Sequence, residues 1–503
     1  MSVQSILTLG DLKKSGWLSR SVKQEMRDNL ITHLQQGHTI FSEIKGFEKT
    51  VIPQLQTAIL SRHNFILLGL RGQAKTRIAR LCVQLLDEWM PIVKDSEILD
   101  DPFHPLSKYA KDLIEAHGDK TPIEWVHRDQ RFTEKLATPD VSVADLIGDV
   151  DPIKAANQKL TYADERVLHF GLVPRSNRCI FVINELPDLQ PRIQVALFNI
   201  LQEGDIQIRG FKLRLPIDVQ FIFTANPEDY TNRGSIVTPL KDRIGSQILT
   251  HYPKTIELGK SITTQEANIT KAQRDSIQVP DMLLTLIEQI AFEARESDLI
   301  DKKSGVSARL TISALENLYS SAERRLLVNK DTTTSARISD LFNIIQSITG
   351  KVELVYEGEL EGVANVANTL IGKAIRQQMA KDFPDPVRSK KSKKGNPYQT
   401  ILDWFAEGNM LDLQSDFSNK QYSDALMAVT GLKDMAKSLA PKADETLLLL
   451  TMEFILFGLV EFSQISRHNT ENGLQLKDTM NGMFNVLRDS DEEGGYYEEG
   501  GTN

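Results

Sequence analysis

Chemistry is concentrated first in residues 69–76, GLRGQAKT. Gly69 and Gly72 permit a loop that side chains would block. The loop follows an apolar run at 64–68 of strand length, and Lys75 and Thr76 then open an amphipathic segment with Ile78, Ala79 and Leu81 as its apolar positions. A buried strand, a tight loop and a helix start suit a polyphosphate. Backbone N–H groups point at the oxygens, and the helix dipole favours their charge. In such a loop Gln73, Ala74 and Arg77 complete the cradle, Lys75 reaches the β- and γ-phosphates, and Thr76 offers its hydroxyl to Mg²⁺. Ala74 stands where the phosphate-loop pattern has Gly, and alanine is strained at positive φ. An ordinary Gly-containing strand-to-helix turn is the competing reading.

Two further apolar runs end in polar residues. Residues 179–183 read as a strand buried on both faces, ending in Asn184 and Glu185. A parallel strand that delivers a carboxylate at its C-terminal end is where an open α/β sheet places its chemistry. Residues 219–223 form a third such strand, ending in Thr224, Ala225, Asn226 and Pro227, which puts an amide at its tip. Between them, 191–202 reads as a helix, and 205–215 alternates about Arg209 and Gly210 as a hairpin does. Leu240 to Arg243 follows a short polar loop, and a last strand is expected at 248–252.

The elements that position these residues follow from the rest of the chain. Its 503 residues imply two to four domains. A net charge of −9 argues against nonspecific nucleic-acid binding as the main task. No apolar run reaches 18 residues. The nearest, 446–460, carries Glu453 in its middle and reads as a buried helix. The first residues lack a charged-then-apolar secretory pattern, and the only cysteines, Cys82 and Cys179, lie in apolar neighbourhoods. A reducing cytoplasm is the expected location. Helices are expected at 22–34, over VIPQLQTAIL and at 78–89. A polar insertion follows at 91–123, then a short strand near Trp125 and a helix start at 141–147 capped by Ser142. Beyond 254 the strand signal fades and helical periodicity takes over, which marks a domain boundary. Residues 381–398 combine three prolines with Arg388, Lys390, Lys391, Lys393 and Lys394, a flexible linker or a docking site for an acidic partner. Residues 401–487 read as helical again, and the acidic, Gly-rich 489–503 as disordered.

With these anchors placed, the chain resembles the AAA+ ATPases of the helix-2-insert group. The closest patterns are the ATPase subunit of magnesium chelatase and the MoxR-type ATPases. The resemblance runs from about 46 to 326 and is carried by GLRGQAKT, NRCIFVINEL (177–186), LQEGDIQIRGFKLRLP (201–216), TANPEDY (224–230), TPLKDRIG (238–245) and GVSARLT (305–311). It implies an α/β fold: a P-loop core with a parallel sheet flanked by helices, then an all-helical lid and a C-terminal helical region. The implied domains are an N-terminal helical segment (1–45), the core (46–253), the lid (254–380), the basic linker (381–398), the helical region (399–488) and the tail (489–503).

The same resemblance implies ATP and Mg²⁺ as cofactors and hydrolysis of ATP to ADP and phosphate. Gly69, Gly72, Lys75 and Thr76 match the family's phosphate loop. Glu185 matches the carboxylate that polarises the attacking water, and Asn226 the sensor that orients it. Arg243 matches an arginine finger supplied to the neighbouring subunit, and Arg309 the lid arginine that closes over the nucleotide. Thr76, Asn184 and Glu185 fall at the metal positions. Rings, usually hexamers, follow because the site lies between subunits, and the partner in this group often carries a von Willebrand factor A domain. The residue types suit the chemistry, since phosphoryl transfer to water needs positioning and charge stabilisation more than covalent help.

Ala74 departs from the family's Gly, and Asn184 replaces the Asp that helps hold Mg²⁺. Hydrolysis is expected, with metal affinity or turnover as the property these departures put at risk. Three functions compete: a ring ATPase that remodels, matures or inserts metal into a partner protein; a magnesium chelatase subunit of tetrapyrrole synthesis; and a nucleotide-gated scaffold that scarcely hydrolyses.

Overall fold

The computed structural model describes residues 3–151, 153, 157, 167–207, 214–227, 236–389, 395–470 and 473–479. The chain divides into two compact units, 1–252 and 253–503.

In the first unit the elements are, in order, α1 (Val22–Gln35), α2 (Val51–Leu60), β1 (Phe65–Leu68), α3 (Lys75–Leu81), β2 (Phe132–Leu136), β3 (Cys179–Asn184), α4 (Pro191–Glu203), β4 (Val219–Ala225), α5 (Thr238–Arg243) and β5 (Ser246–Leu249). The five strands form one parallel sheet in the order β5-β1-β4-β3-β2. The three inner strands are buried along their whole length, and their residues are mostly apolar. Alternate side chains serve opposite faces. Ile66, Leu68, Phe181 and Ile183 pack with Ile193, Leu197 and Ile200 of α4. Phe65, Leu67, Ile180 and Val182 pack with α1, α2 and α3. Val22, Met26 and Leu30 of α1 thus belong to the core of the sheet. Cys82 and Cys179 are buried thiols, which burial pushes up to about 12.

Several expectations are corrected. The helix after the loop stops at Leu81 and a 3₁₀ turn follows. Trp89, expected inside the helix, instead begins a strand, Trp89–Val93, paired antiparallel with Ile123–His127. The interval 91–123 is therefore bounded by a hairpin-like pair and holds the helix Lys108–His117. Strand β2 was not anticipated, because Thr133, Glu134 and Lys135 break any apolar run at this sheet edge. The last strand ends at Leu249 and leaves Thr250, His251 and Tyr252 beyond it. The hairpin forms between Asp205–Gln207 and Arg214–Pro216, while Arg209 and Gly210 lie outside the described residues. Ser142 does cap a helix, through a capping box with Asp145.

The second unit contains α6 (Ile256–Glu266), α7 (Asp281–Glu296), α8 (Arg309–Asn329), α9 (Val363–Asp382), β6 (Leu411–Gln414), α10 (Glu445–Glu461), β7 (Ile465–Thr470) and β8 (Gly473–Asp478), with shorter pieces between. One apolar cluster runs through it from Ala267 to Leu476. The expected lid and C-terminal region therefore share a core. Glu453 sits in the middle of α10, fully buried, and accepts hydrogen bonds from Ile338 N (2.6 Å), Ser339 N (3.1 Å) and the Tyr422 hydroxyl (2.8 Å). Helices alone were expected after 254. The antiparallel sheet β6-β8-β7 corrects this for the C-terminal region. Ser466, Arg467, His468, Asn469 and Thr470 give β7 no apolar signal. Tyr398, at the end of the expected linker, is fully buried and donates to Pro384 O at 2.7 Å. Lys390 to Lys394 and the tail 489–503 lie outside the described residues. Among the described residues no helix is long and apolar enough to cross a membrane.

Candidate nucleotide site

The C-terminal ends of β1, β3 and β4 lie side by side because the three strands are parallel neighbours. Each therefore delivers its polar tip to one edge of the sheet, the place where open α/β sheets bind ligands. The loop after β1 closes tightly. At Gly69 a Cβ would overlap the Thr250 hydroxyl and the Gln73 amide oxygen, so a larger residue would displace the contacts that anchor the loop. Thr250 Oγ1 donates to Gln73 Oε1 at 2.7 Å, and the Tyr252 hydroxyl to Arg71 O at 2.9 Å, which anchors the loop to the residues after β5. Gly72 has φ of +73° and Ala74 of +55°. The alanine thus occupies the left-handed conformation that the usual glycine would adopt freely. Arg77 turns away to Glu43, 2.9 Å. Thr76, half-buried, follows Lys75 at the start of α3.

Lys75 is buried and donates to the carbonyls of Gly69 and Leu70 and to Asn226 Oδ1, the last at 2.9 Å. Asn226 Nδ2 in turn donates to Glu185 Oε2 at 3.1 Å. Glu185 leaves β3 at φ of +52°, a strained turn whose N–H donates to Thr224 Oγ1. Three residues more than 40 positions apart thus form one chain of hydrogen bonds: an ammonium, an amide and a carboxylate. The ammonium is held by carbonyls it can exchange for phosphate oxygens.

Asn184 is held on both sides. Its Nδ2 donates to Glu134 Oε1 at 2.6 Å and its Oδ1 accepts from Thr224 Oγ1 at 3.0 Å. An ionised carboxylate only accepts, which fixes the amide nitrogen toward Glu134. Sequence reasoning missed Glu134. It lies on the unanticipated edge strand, and a single acid in FTEKL carries no signal of its own.

The remaining residues fall elsewhere. Arg243, at the end of α5, donates to Gln202 Oε1 (3.0 Å) and Pro239 O (2.8 Å) and lies 5.1 Å from the Phe198 ring centroid. It is half-buried against α4, and among the described contacts it bonds to none of Lys75, Glu185 and Asn226. Arg309 opens α8 in the second unit, exposed, its N–H donating to Ser307 Oγ.

Residues 123–244 match a known family, the AAA domain of the dynein-related subfamily. That stretch of the chain is similar to an AAA domain. The matched stretch holds β2 to α5, and with them Glu134, Asn184, Glu185, Asn226 and Arg243, whereas the loop at 69–76 precedes it. No curated protein matches the chain. Solved structures similar to it include a proposed ATPase from Cytophaga hutchinsonii, 16% identical over 72% of this chain and 97% of the other, with a TM-score of 0.29. NtrX from Brucella abortus in complex with ADP is 14% identical over 75% and 73%, TM-score 0.35. The BchI–BchD complex of magnesium chelatase is 18% identical over 64% and 98%, TM-score 0.33.

Proposed function

We propose that this chain is an ATP-binding, ATP-hydrolysing AAA+ ATPase of the MoxR and magnesium-chelatase type. Its task would be to remodel, mature or insert metal into a partner protein. The observation that carries the reading is the hydrogen-bonded chain Lys75–Asn226–Glu185 at the tips of three parallel strands. In this reading the loop 69–76 wraps the phosphates, and Lys75 exchanges its carbonyl partners for the β- and γ-oxygens. Glu185 orients a water and takes its proton as the oxygen attacks the γ-phosphorus. Asn226 holds that water, and the bond to the bridging oxygen breaks to leave ADP.

Thr76, Asn184 and Glu185 offer hydroxyl, amide and carboxylate oxygens. That set fits Mg²⁺, which keeps several waters and takes few protein ligands beside the phosphates. Bound there, the ion would neutralise charge on the β- and γ-oxygens. Arg243, held by Gln202 and Pro239, is suited to act as a finger for a neighbouring subunit in a ring, with six as the family number. Arg309 would close over the nucleotide as the lid arginine. A von Willebrand factor A domain protein is the partner this reading favours, and the cytoplasm its location.

Asn184 supports a second reading. An uncharged amide held from both sides gives the metal no anion at that position, and a chain that binds ATP but scarcely hydrolyses it would act as a nucleotide-gated scaffold.

Titrating a fluorescent ATP analogue tests the first step. Lys75→Ala should weaken binding by about 10- to 100-fold, as expected for losing charge-assisted hydrogen bonds. Equal affinity in the variant would contradict the site.

A further inference from the structure

Glu134 sits at the sheet edge, one strand over from Asn184. The parallel register pairs Leu136 with Asn184 and Glu134 with Val182. Both carboxylate oxygens are engaged. Oε1 accepts from Asn184 Nδ2 at 2.6 Å, and Oε2 accepts from Arg80 Nε at 2.9 Å and Nη2 at 2.8 Å. Arg80 lies four residues after Thr76 on α3, so the two share a helix face, and that face overlies Glu134. A carboxylate therefore stands between the amide at the metal position and the helix that carries the metal-binding hydroxyl. Its side chain is 23% exposed, against 64% for Arg80. The Arg80 side of the pair is open to solvent, which screens it, so a divalent cation can compete for the carboxylate.

We infer that Glu134 supplies the negative charge that position 184 lacks. In this site it acts on the hydrated Mg²⁺ of the nucleotide complex and at the same time fixes the orientation of Asn184, with Arg80 as the counter-ion it gives up. The inference rests on the proposed nucleotide site. Mg²⁺ retains much of its water shell, so a carboxylate need not touch the ion to hold it. The missing charge has moved sideways, from the tip of β3 to the neighbouring strand.

The test is ATP affinity of the full chain, measured by calorimetry in Mg²⁺ and again in EDTA, with Mn²⁺ binding followed by electron paramagnetic resonance as a second readout. The gain in affinity on adding Mg²⁺ is the quantity compared. Glu134→Gln should cut that gain about tenfold and weaken Mn²⁺ binding in parallel, while affinity in EDTA stays within about twofold of wild type. Arg80→Ala should preserve or raise the gain. Glu134→Gln combined with Asn184→Asp should restore it, because the charge returns to the strand tip. A full gain in Glu134→Gln would overturn the inference, as would an equal loss in Mg²⁺ and EDTA, or a double variant no better than Glu134→Gln. Wild type that binds ATP with no gain from Mg²⁺ sinks the inference and spares the nucleotide site. Wild type that binds ATP in neither medium sinks both.

Discussion

At Ala74 the loop accepts a left-handed backbone, φ +55°, from a residue that carries a Cβ. Such a conformation costs an L-residue roughly 1–2 kcal/mol, which glycine avoids while giving up about 0.5–1 kcal/mol of chain entropy. Ala74→Gly should therefore stabilise the chain by up to about 1.5 kcal/mol. The urea midpoint of the first unit measures this, and a lower midpoint would contradict it. Glu185 and Asn226 were legible in the sequence because each ends an apolar run, so the strand itself points to them. Lys75 was legible from the glycines before it. Glu134 was not, since its significance comes from a register with β3 that only the folded sheet establishes.

Between elements, α6, α7 and α8 meet around a carboxylate. Glu288 of α7 is buried, accepts from Thr263 of α6, and Thr263 shares a 2.7 Å hydrogen bond with Thr311 of α8. Gly259 of α6 makes room for it, because a Cβ there would overlap the carboxylate. Burial pushes the Glu288 carboxyl above its ordinary 4.5, against the pull of Thr263 and Arg295. The folded state thus holds the proton more tightly than the unfolded one. The stability this contributes is full below about pH 4.5 and is lost as pH rises through the folded value. Glu288→Gln should flatten the fall of the thermal midpoint over that window, and an unchanged slope would contradict the assignment. The elements themselves were legible where one period dominated, as in the buried strands β1, β3 and β4 or the amphipathic α7. They were illegible at edges. β2 and β7 are part-solvated strands with polar residues on their open faces, and neither an apolar run nor a clean alternation marks them.

For the whole molecule, two units each close on their own apolar cores, with the first built around a five-stranded parallel sheet and the second around one long cluster. The catalytic reading needs Lys75, Glu185 and Asn226 from the first unit, all within one chain, and Arg243, which contacts α4 instead of the loop. An arginine supplied from a neighbouring subunit makes turnover depend on assembly. The most direct test is phosphate release per subunit across protein concentration, for wild type, Glu185→Gln and Arg243→Ala. The rate per subunit should rise with concentration and fall about 100-fold or more in each variant, while both variants still bind ATP. A wild type that binds ATP yet releases phosphate no faster than Glu185→Gln at any concentration would contradict this expectation.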